Sequence, residues 1–393
     1  MEDTLDIISK GIIILLKSAI LQTPGILPDG FHIGQAMPVI REHNLVPLCY
    51  EGAVSCGISP MDPAMRELFQ SYCKILQISE RQIRELQSLY AAFEEHGIDY
   101  LPLKGSRMKY LYPKPELRTM GDADILIRTE QYERLVPVLE RLGFTAGQET
   151  DHELVWRSKG LYLELHKRLI PSYNRDLYPY FGDGWNRAVK EKGCRYGMKA
   201  EDEFIYLFTH FAKHFRDGGI GCRHVADLWV FLRAKADLDE TYIQKELEKL
   251  QLLGFYQNVR TLMPVWFEDG LCDEKTELMT EFIFASGSFG RIESRVLSIT
   301  VRDTGHYPLG FNGRLMYLWR TAFPGVDVLK EKYTVLKRMP WMLPLVWLVR
   351  PFYKILFETK DLHRQKKNIM TLSRENLDQK DRMLKYFDLE YRF

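Results

Sequence analysis

The stretch Met120-Gly121-Asp122-Ala123-Asp124-Ile125-Leu126-Ile127 decides how the chain is read. Its apolar residues describe a buried strand, and its two aspartates stand two positions apart. Side chains at i and i+2 of a strand leave the same face, with Cα atoms about 6.6 Å apart. Two ionised carboxylates held that close repel each other unless a cation lies between them. Eighteen residues before Asp122, Lys104-Gly105-Ser106 follows the apolar run Ile98 to Leu103 and reads as a strand-to-helix turn. Such turns favour phosphate through their backbone amides. A glycine turn for phosphate and a paired-aspartate strand for a divalent ion are together the equipment of phosphoryl or nucleotidyl transfer.

Around this stretch the pattern predicts an α+β protein: a small mixed β-sheet core, residues 98–195, between helical regions at 1–97 and 196–393. Apolar residues at Phe69, Tyr72, Leu76, Ile83, Leu86, Tyr90 and Phe93 recur at helical spacing and stop at Gly97. A short helix is expected from Ser106 to Leu111, stopped by Pro113, and a Pro-rich loop then carries Arg118 into the aspartate strand. Thr129 suits the start of a helix with Leu135, Val138, Leu139 and Leu142 on its apolar side. Two strands are expected near 153–158 and 161–167, and in the second strict alternation sends Leu161, Leu163 and Leu165 one way and Tyr162, Glu164 and His166 the other. Helices are expected over Asp202 to Arg216 and His224 to Leu232, with a glycine-rich turn between them.

Composition narrows the partners. Lys+Arg 54 against Asp+Glu 53 leaves a formal +1, so no bulk field draws nucleic acid to the chain. Six cysteines without a CxxC or an even framework read as reduced thiols of a cytoplasmic protein. Gly11 to Leu16 is apolar, but acidic residues precede it and Lys10 and Lys17 flank it, so an amphipathic helix is expected rather than a signal peptide. Trp341 to Val349 is too short to cross a bilayer, although its flanks Lys337, Arg338 and Arg350 suit contact with a membrane surface.

Each residue of the transfer chemistry can be given a role. Gly105 permits close approach, the Ser106 hydroxyl adds a hydrogen bond to a phosphate, and Lys104 neutralises phosphate charge. Asp122 and Asp124 would hold Mg²⁺ or Mn²⁺ through oxygen ligands. Glu164 is the third acid, able to activate the attacking hydroxyl and complete a second metal position. Arg118 either clamps a triphosphate or fixes Asp122. His210 and His214 lie one helical turn apart without a zincin glutamate or an evident third ligand, which favours packing or acceptor binding over metal. His166, His210, Lys213 and Arg223 are therefore candidates for supporting the acids or meeting the acceptor, and Asp227 is expected to pair with Arg223. No GxGxxG dinucleotide turn and no hydrolase triad motif is present.

Leu103-Lys104-Gly105-Ser106, Leu111-Tyr112-Pro113, Arg118, Gly121 to Ile127 and Glu164-Leu165-His166 together resemble the uncharacterised nucleotidyltransferase family of bacteria, within the DNA polymerase β-like superfamily. Looser likeness runs through His210 to Asp227, Phe323-Pro324-Gly325 and Tyr333 to Pro344. Lys167 departs from an aromatic residue frequent at that place in the family, and the interval from Ser106 to Asp122 is longer than the superfamily's usual one. The resemblance implies a core of about five strands, a divalent metal, and transfer of a nucleoside monophosphate from an NTP to an acceptor. By motif match it puts Gly105 and Ser106 at the phosphate turn, Asp122 and Asp124 at the metal, and Glu164 in the third-acid role. The acceptor is a small molecule, a sugar or a protein side chain. The alternatives are a scaffold that binds nucleotide without turnover, and a toxin-like enzyme modifying tRNA or protein hydroxyls.

Overall fold

The computed structural model describes residues 6–150, 152–172 and 174–287, together with 323, 326–329, 333, 335–349 and 382–390. Two compact units are present, one of Met1–His214 with Gly219–Phe289 and one of Phe215–Gly218 with Gly290–Phe393. The first unit holds a seven-stranded sheet in the order β3-β4-β5-β2-β1-β7-β6, larger than the five strands that the resemblance implied. Its strands are β1 (Tyr100–Pro102), β2 (Ala123–Ile127), β3 (Thr145–Glu149), β4 (Glu153–Arg157), β5 (Tyr162–His166), β6 (Ala188–Lys192) and β7 (Arg195–Met198). The sheet is mixed: β2 runs parallel to β5 and antiparallel to β1, while β1 runs parallel to β7.

Four helices precede the sheet: α1 (Ile7–Leu21), α2 (Ile33–Glu42), α3 (Val46–Ser55) and α4 (Pro63–Glu95). Asp62 starts α4 by accepting from the Ala64 amide at 2.8 Å, and Pro63 occupies the first turn, where no donor is lost. The helix ends just before Gly97, whose φ of 62° is the left-handed turn expected of a C-terminal glycine. The buried stripe of α4 follows Met65, Leu68 and Tyr72 to Leu86, Leu89 and Phe93. Phe69, expected on that stripe, is exposed because Leu68 takes the inward position.

Leu86, Leu89 and Phe93 of α4 and Leu135, Val138 and Leu139 of α6 (Tyr132–Arg141) cover one face of the sheet. From the sheet they meet Ala123, Ile125, Ile127, Leu161, Leu163 and Leu165. This burial accounts for the alternation in both central strands, and it sends Asp122, Asp124, Glu164 and His166 to the other face. There α8 (Ala200–Asp217) brings Tyr206 within electrostatic reach of Lys104, Asp124 and Glu164. The unit is completed by α5 (Gly105–Met108), α7 (Tyr178–Phe181), α9 (Cys222–Ala234), α10 (Glu240–Lys249), α11 (Leu253–Phe267) and α12 (Glu274–Ser286).

All six cysteines are free, with Cys49 and Cys222 buried. No helix among the described residues is long and apolar enough to cross a membrane. In the second unit Trp341, Leu345, Leu348 and Val349 are exposed, while Pro324, Gly325, Lys337's side chain and Arg350, named above on sequence, lie outside what is described.

Candidate active site

Parallel pairing of β2 with β5 sets Asp124 directly opposite Glu164, and Leu126 opposite His166. Asp122 stands two residues before Asp124 on the same face. The Asp124 side chain is 5% exposed, and its Oδ1 accepts from Lys104 Nζ at 2.8 Å and from His166 Nε2 at 2.7 Å. No hydrogen bond among the described residues reaches Asp124 Oδ2 or the Asp122 carboxylate. Burial alone would favour the neutral acid at Asp124, but Lys104 and His166 outweigh it and hold the carboxyl below its usual range. Burial and then Asp124 raise Asp122, against the pull of Lys104, Arg223 and Arg118. At Glu164 burial, followed by Asp124, Asp122 and Glu153, pushes the carboxyl up to about 8. Three acids thus share one patch and penalise one another's ionisation, as carboxylates do when they converge without a cation.

The donor set suits a divalent ion. Asp124, Glu164 and His166 offer ligand atoms that all lie within 4.8 Å of one another, with Asp122 outside that group and His166 Nε2 already hydrogen-bonded to Asp124. A carboxylate-dominated set of this kind selects hard ions such as Mg²⁺ or Mn²⁺.

The turn before α5 brings Lys104 to the acids. Lys104 has φ 43° and ψ −118°, an unfavourable backbone for a side-chain-bearing residue, and that twist turns its ammonium onto Asp124. Ser106 is buried, and its hydroxyl donates to Leu103 O at 2.7 Å, which ties the turn to itself. The space above Gly105 is also taken: a Cβ there would come 2.3 Å from Arg118 Nη1. Finally, α5 has only four residues, so its N-terminus carries little of a helix dipole. Gly105 and Ser106 thus shape the turn that positions Lys104 on Asp124.

Arg118 is committed to α9. It is buried and donates from Nε and Nη2 to both oxygens of Asp227 on α9, at 3.3 and 3.0 Å. Tyr112 Oη donates to the same carboxylate at 2.8 Å. Burial opposes the charge on Asp227, but Arg118 and then Arg223 overcome it and keep the carboxyl low. Asp227 is therefore paired with Arg118 and not with Arg223 as expected, and the motif residues Tyr112 and Arg118 fasten the loop before β2 to α9. Arg223 donates to Thr119 O at 2.9 Å and Thr119 Oγ1 at 2.8 Å, while its buried Nε has no partner among the described residues. Burial and the adjacent Arg118 pull its guanidinium down to about 10, with Asp122 among the groups opposing that shift.

With this geometry in view, comparison with known proteins is decisive at one point. A family model described as an uncharacterised nucleotidyltransferase matches residues 29–268, more than half of the 393. The chain belongs to the uncharacterised nucleotidyltransferase family. It matches no curated protein and no solved structure significantly. The span matched by the nucleotidyltransferase family contains every residue described in this site.

On α8 His210 and His214 meet through their Nε2 atoms at 3.0 Å. No third metal ligand joins them among the described residues. Burial, then Lys104, His214 and Lys213, keep His210 far below its ordinary range and so neutral. Lys213 also lies close enough to His152 to disfavour its charged form. His152, Glu153 and Tyr206 were not singled out from sequence. The available signal was the His-Glu pair opening the strand that precedes Glu164-Leu165-His166, which antiparallel pairing sets against His166.

Proposed function

We propose that the protein is a Mg²⁺- or Mn²⁺-dependent nucleotidyltransferase that moves a nucleoside monophosphate from an NTP to a hydroxyl or similar group of an acceptor. The observation that carries this reading is the convergence of Asp122, Asp124 and Glu164 from two parallel strands, with Asp124 ionised and Glu164 driven up to about 8. A bound divalent ion would supply charge for the polyphosphate and a Lewis acid at the reacting phosphoryl group. The acceptor oxygen attacks the α-phosphorus, the bond to pyrophosphate breaks, and the hydroxyl proton passes to Glu164 once that group is ionised. Lys104 and His166 both hold Asp124 Oδ1, which leaves Oδ2 and the Asp122 carboxylate to face the ion. Lys213 and Arg223 are the nearby cations suited to the polyphosphate or to an anionic acceptor.

Titration of the protein with ATP, GTP, CTP and UTP, with and without Mg²⁺, beside the Asp122→Asn/Asp124→Asn double variant, tests the reading. Metal-dependent binding of a nucleotide that is lost in the variant supports it, whereas binding unchanged in the variant refutes it. One feature favours a second reading, nucleotide binding without turnover: the Lys104 ammonium already neutralises Asp124. Nucleotide binding with no pyrophosphate released across an acceptor panel would favour that reading.

A further inference from the structure

Beside the carboxylates lies a second constellation of different chemistry. In the antiparallel register of β4 and β5, Glu153 stands opposite His166, and His152 precedes it at the strand's start. His152 Nε2 is 3.1 Å from His166 Nδ1 and 3.9 Å from Glu153 Oε2. Ligand atoms of all three residues lie within 4.8 Å of one another. Around a zinc-sized ion, with ligands about 2.0–2.2 Å from the metal, tetrahedral neighbours stand about 3.2–3.6 Å apart. The two ring nitrogens already stand near that spacing, and the Glu153 carboxylate must move closer to reach it.

We propose that His152, Glu153 and His166 form a binding site for a borderline-soft divalent ion of the zinc class, separate from the hard-ion site at Asp122, Asp124 and Glu164. Ligand type is the first support: two imidazoles and one carboxylate match Zn²⁺ or Co²⁺ far better than Mg²⁺. The orientation of His166 is the second. Asp124, an ionised acceptor, fixes the hydrogen on His166 Nε2 at 2.7 Å, so Nδ1 presents its lone pair toward His152. A carboxylate behind the metal-bound imidazole is the arrangement that orients histidine ligands in metalloproteins. The His152 backbone is held by Lys167 N donating to its carbonyl at 2.8 Å and by its own amide donating to Thr150 Oγ1 at 3.2 Å. With His166 Nδ1 the acceptor, His152 Nε2 donates across the 3.1 Å contact in the ion-free state, and an ion would replace that hydrogen, which moves to the unpartnered His152 Nδ1 or to solvent.

Entry also fits. The side chains of His152 and Glu153 are 12% and 25% exposed, which leaves a solvent path. The neighbouring cations Lys104, Lys213 and Arg168 weaken the hold on a divalent charge, which makes this a reversibly loaded site. An ion on His166 Nδ1 would lock the Nε2 hydrogen onto Asp124 and so couple loading of this site to the acids.

The test is titration of EDTA-treated protein with Co²⁺, followed by its visible ligand-field absorption. It is run on the wild type, His152→Ala, Glu153→Gln and Asp122→Asn/Glu164→Gln, with the fold of each checked by circular dichroism. The expected result is one saturable equivalent of cobalt with intense low-coordinate bands. Affinity should fall about 10–100-fold in folded His152→Ala and Glu153→Gln and persist in the acid variant. Absence of a saturable band overturns the proposal. So does a band that survives His152→Ala and Glu153→Gln but disappears in the acid variant, since cobalt would then sit on the carboxylates. Nucleotide binding in Mg²⁺ follows the opposite pattern, so failure of this site and failure of the transferase reading are told apart.

Discussion

Replacing Glu164 with glutamine should stabilise the metal-free protein at alkaline pH and change little in acid. The Glu164 side chain is 19% exposed, and burial followed by Asp124, Asp122 and Glu153 drives its carboxyl from 4.5 up to about 8. Between those values the folded protein keeps a proton that the unfolded chain has released. Stability falls as pH rises wherever the unfolded state binds fewer protons. The Glu164 contribution is therefore fully present below pH 4.5 and is lost as pH climbs through about 8. At about 1.36 kcal/mol for each tenfold change the ceiling is about 5 kcal/mol, and solvent screening of a partly exposed group lowers it to about 1–3 kcal/mol. Glutamine is neutral throughout and abolishes the slope. Urea unfolding in EDTA at about pH 5 and about pH 9 reads the effect. The variant should gain on the wild type by that amount at the alkaline end, and saturating Mg²⁺ should close the gap by neutralising Glu164. Equal slopes in the two proteins, or a variant less stable in alkali, would refute the electrostatic reasoning.

Asp122→Asn should weaken Mg²⁺-dependent nucleotide binding at least about tenfold while leaving the urea midpoint unchanged or slightly raised, because Asp122 makes no hydrogen bond among the described residues and is repelled by Asp124. Asp227→Asn strands the buried Arg118 guanidinium and should cost about 3–5 kcal/mol in urea unfolding. The Arg118→Met/Asp227→Asn double variant should cost less than the sum of the two single changes. Gly105→Ala should cost about 1–3 kcal/mol, since the new methyl meets an Arg118 held at both oxygens of Asp227 and unable to swing away. A loss below about 0.5 kcal/mol in thermal unfolding would contradict that account of the glycine.

The central strands were legible because one face of each is buried. Ala123, Ile125 and Ile127 alternate with Asp122, Asp124 and Leu126, and Leu161, Leu163 and Leu165 alternate with Glu164 and His166, so period and polarity together gave strand, face and acids. The edge strands carry no such signal. Thr145–Glu149 is exposed at every residue, and Ala188–Lys192 at all but its first, so neither shows apolar alternation. Glycine, serine and arginine beside two acids suit phosphate by residue type, but residue type does not give their protein contacts. Ser106 to Leu103 is a local turn contact, whereas Arg118 to Asp227 joins residues brought together only by the tertiary fold. Within α4, Ser79 and Gln82 interrupt an apolar stripe for a comparable reason. Ser79 accepts from buried Lys109 at 3.1 Å, and Gln82 donates to Met120 O at 2.9 Å, just before the aspartates.

Crystals soaked in Mn²⁺ with a non-hydrolysable NTP analogue, measured at the manganese edge, test the central claim most directly. The account predicts an anomalous peak about 2.0–2.3 Å from carboxylate oxygens of Asp122 and Asp124. Lys104 should remain on Asp124 Oδ1, and the nucleotide phosphates should reach the ion. Well-ordered nucleotide with no peak at these carboxylates, or manganese bound elsewhere while they stay bare, would contradict it.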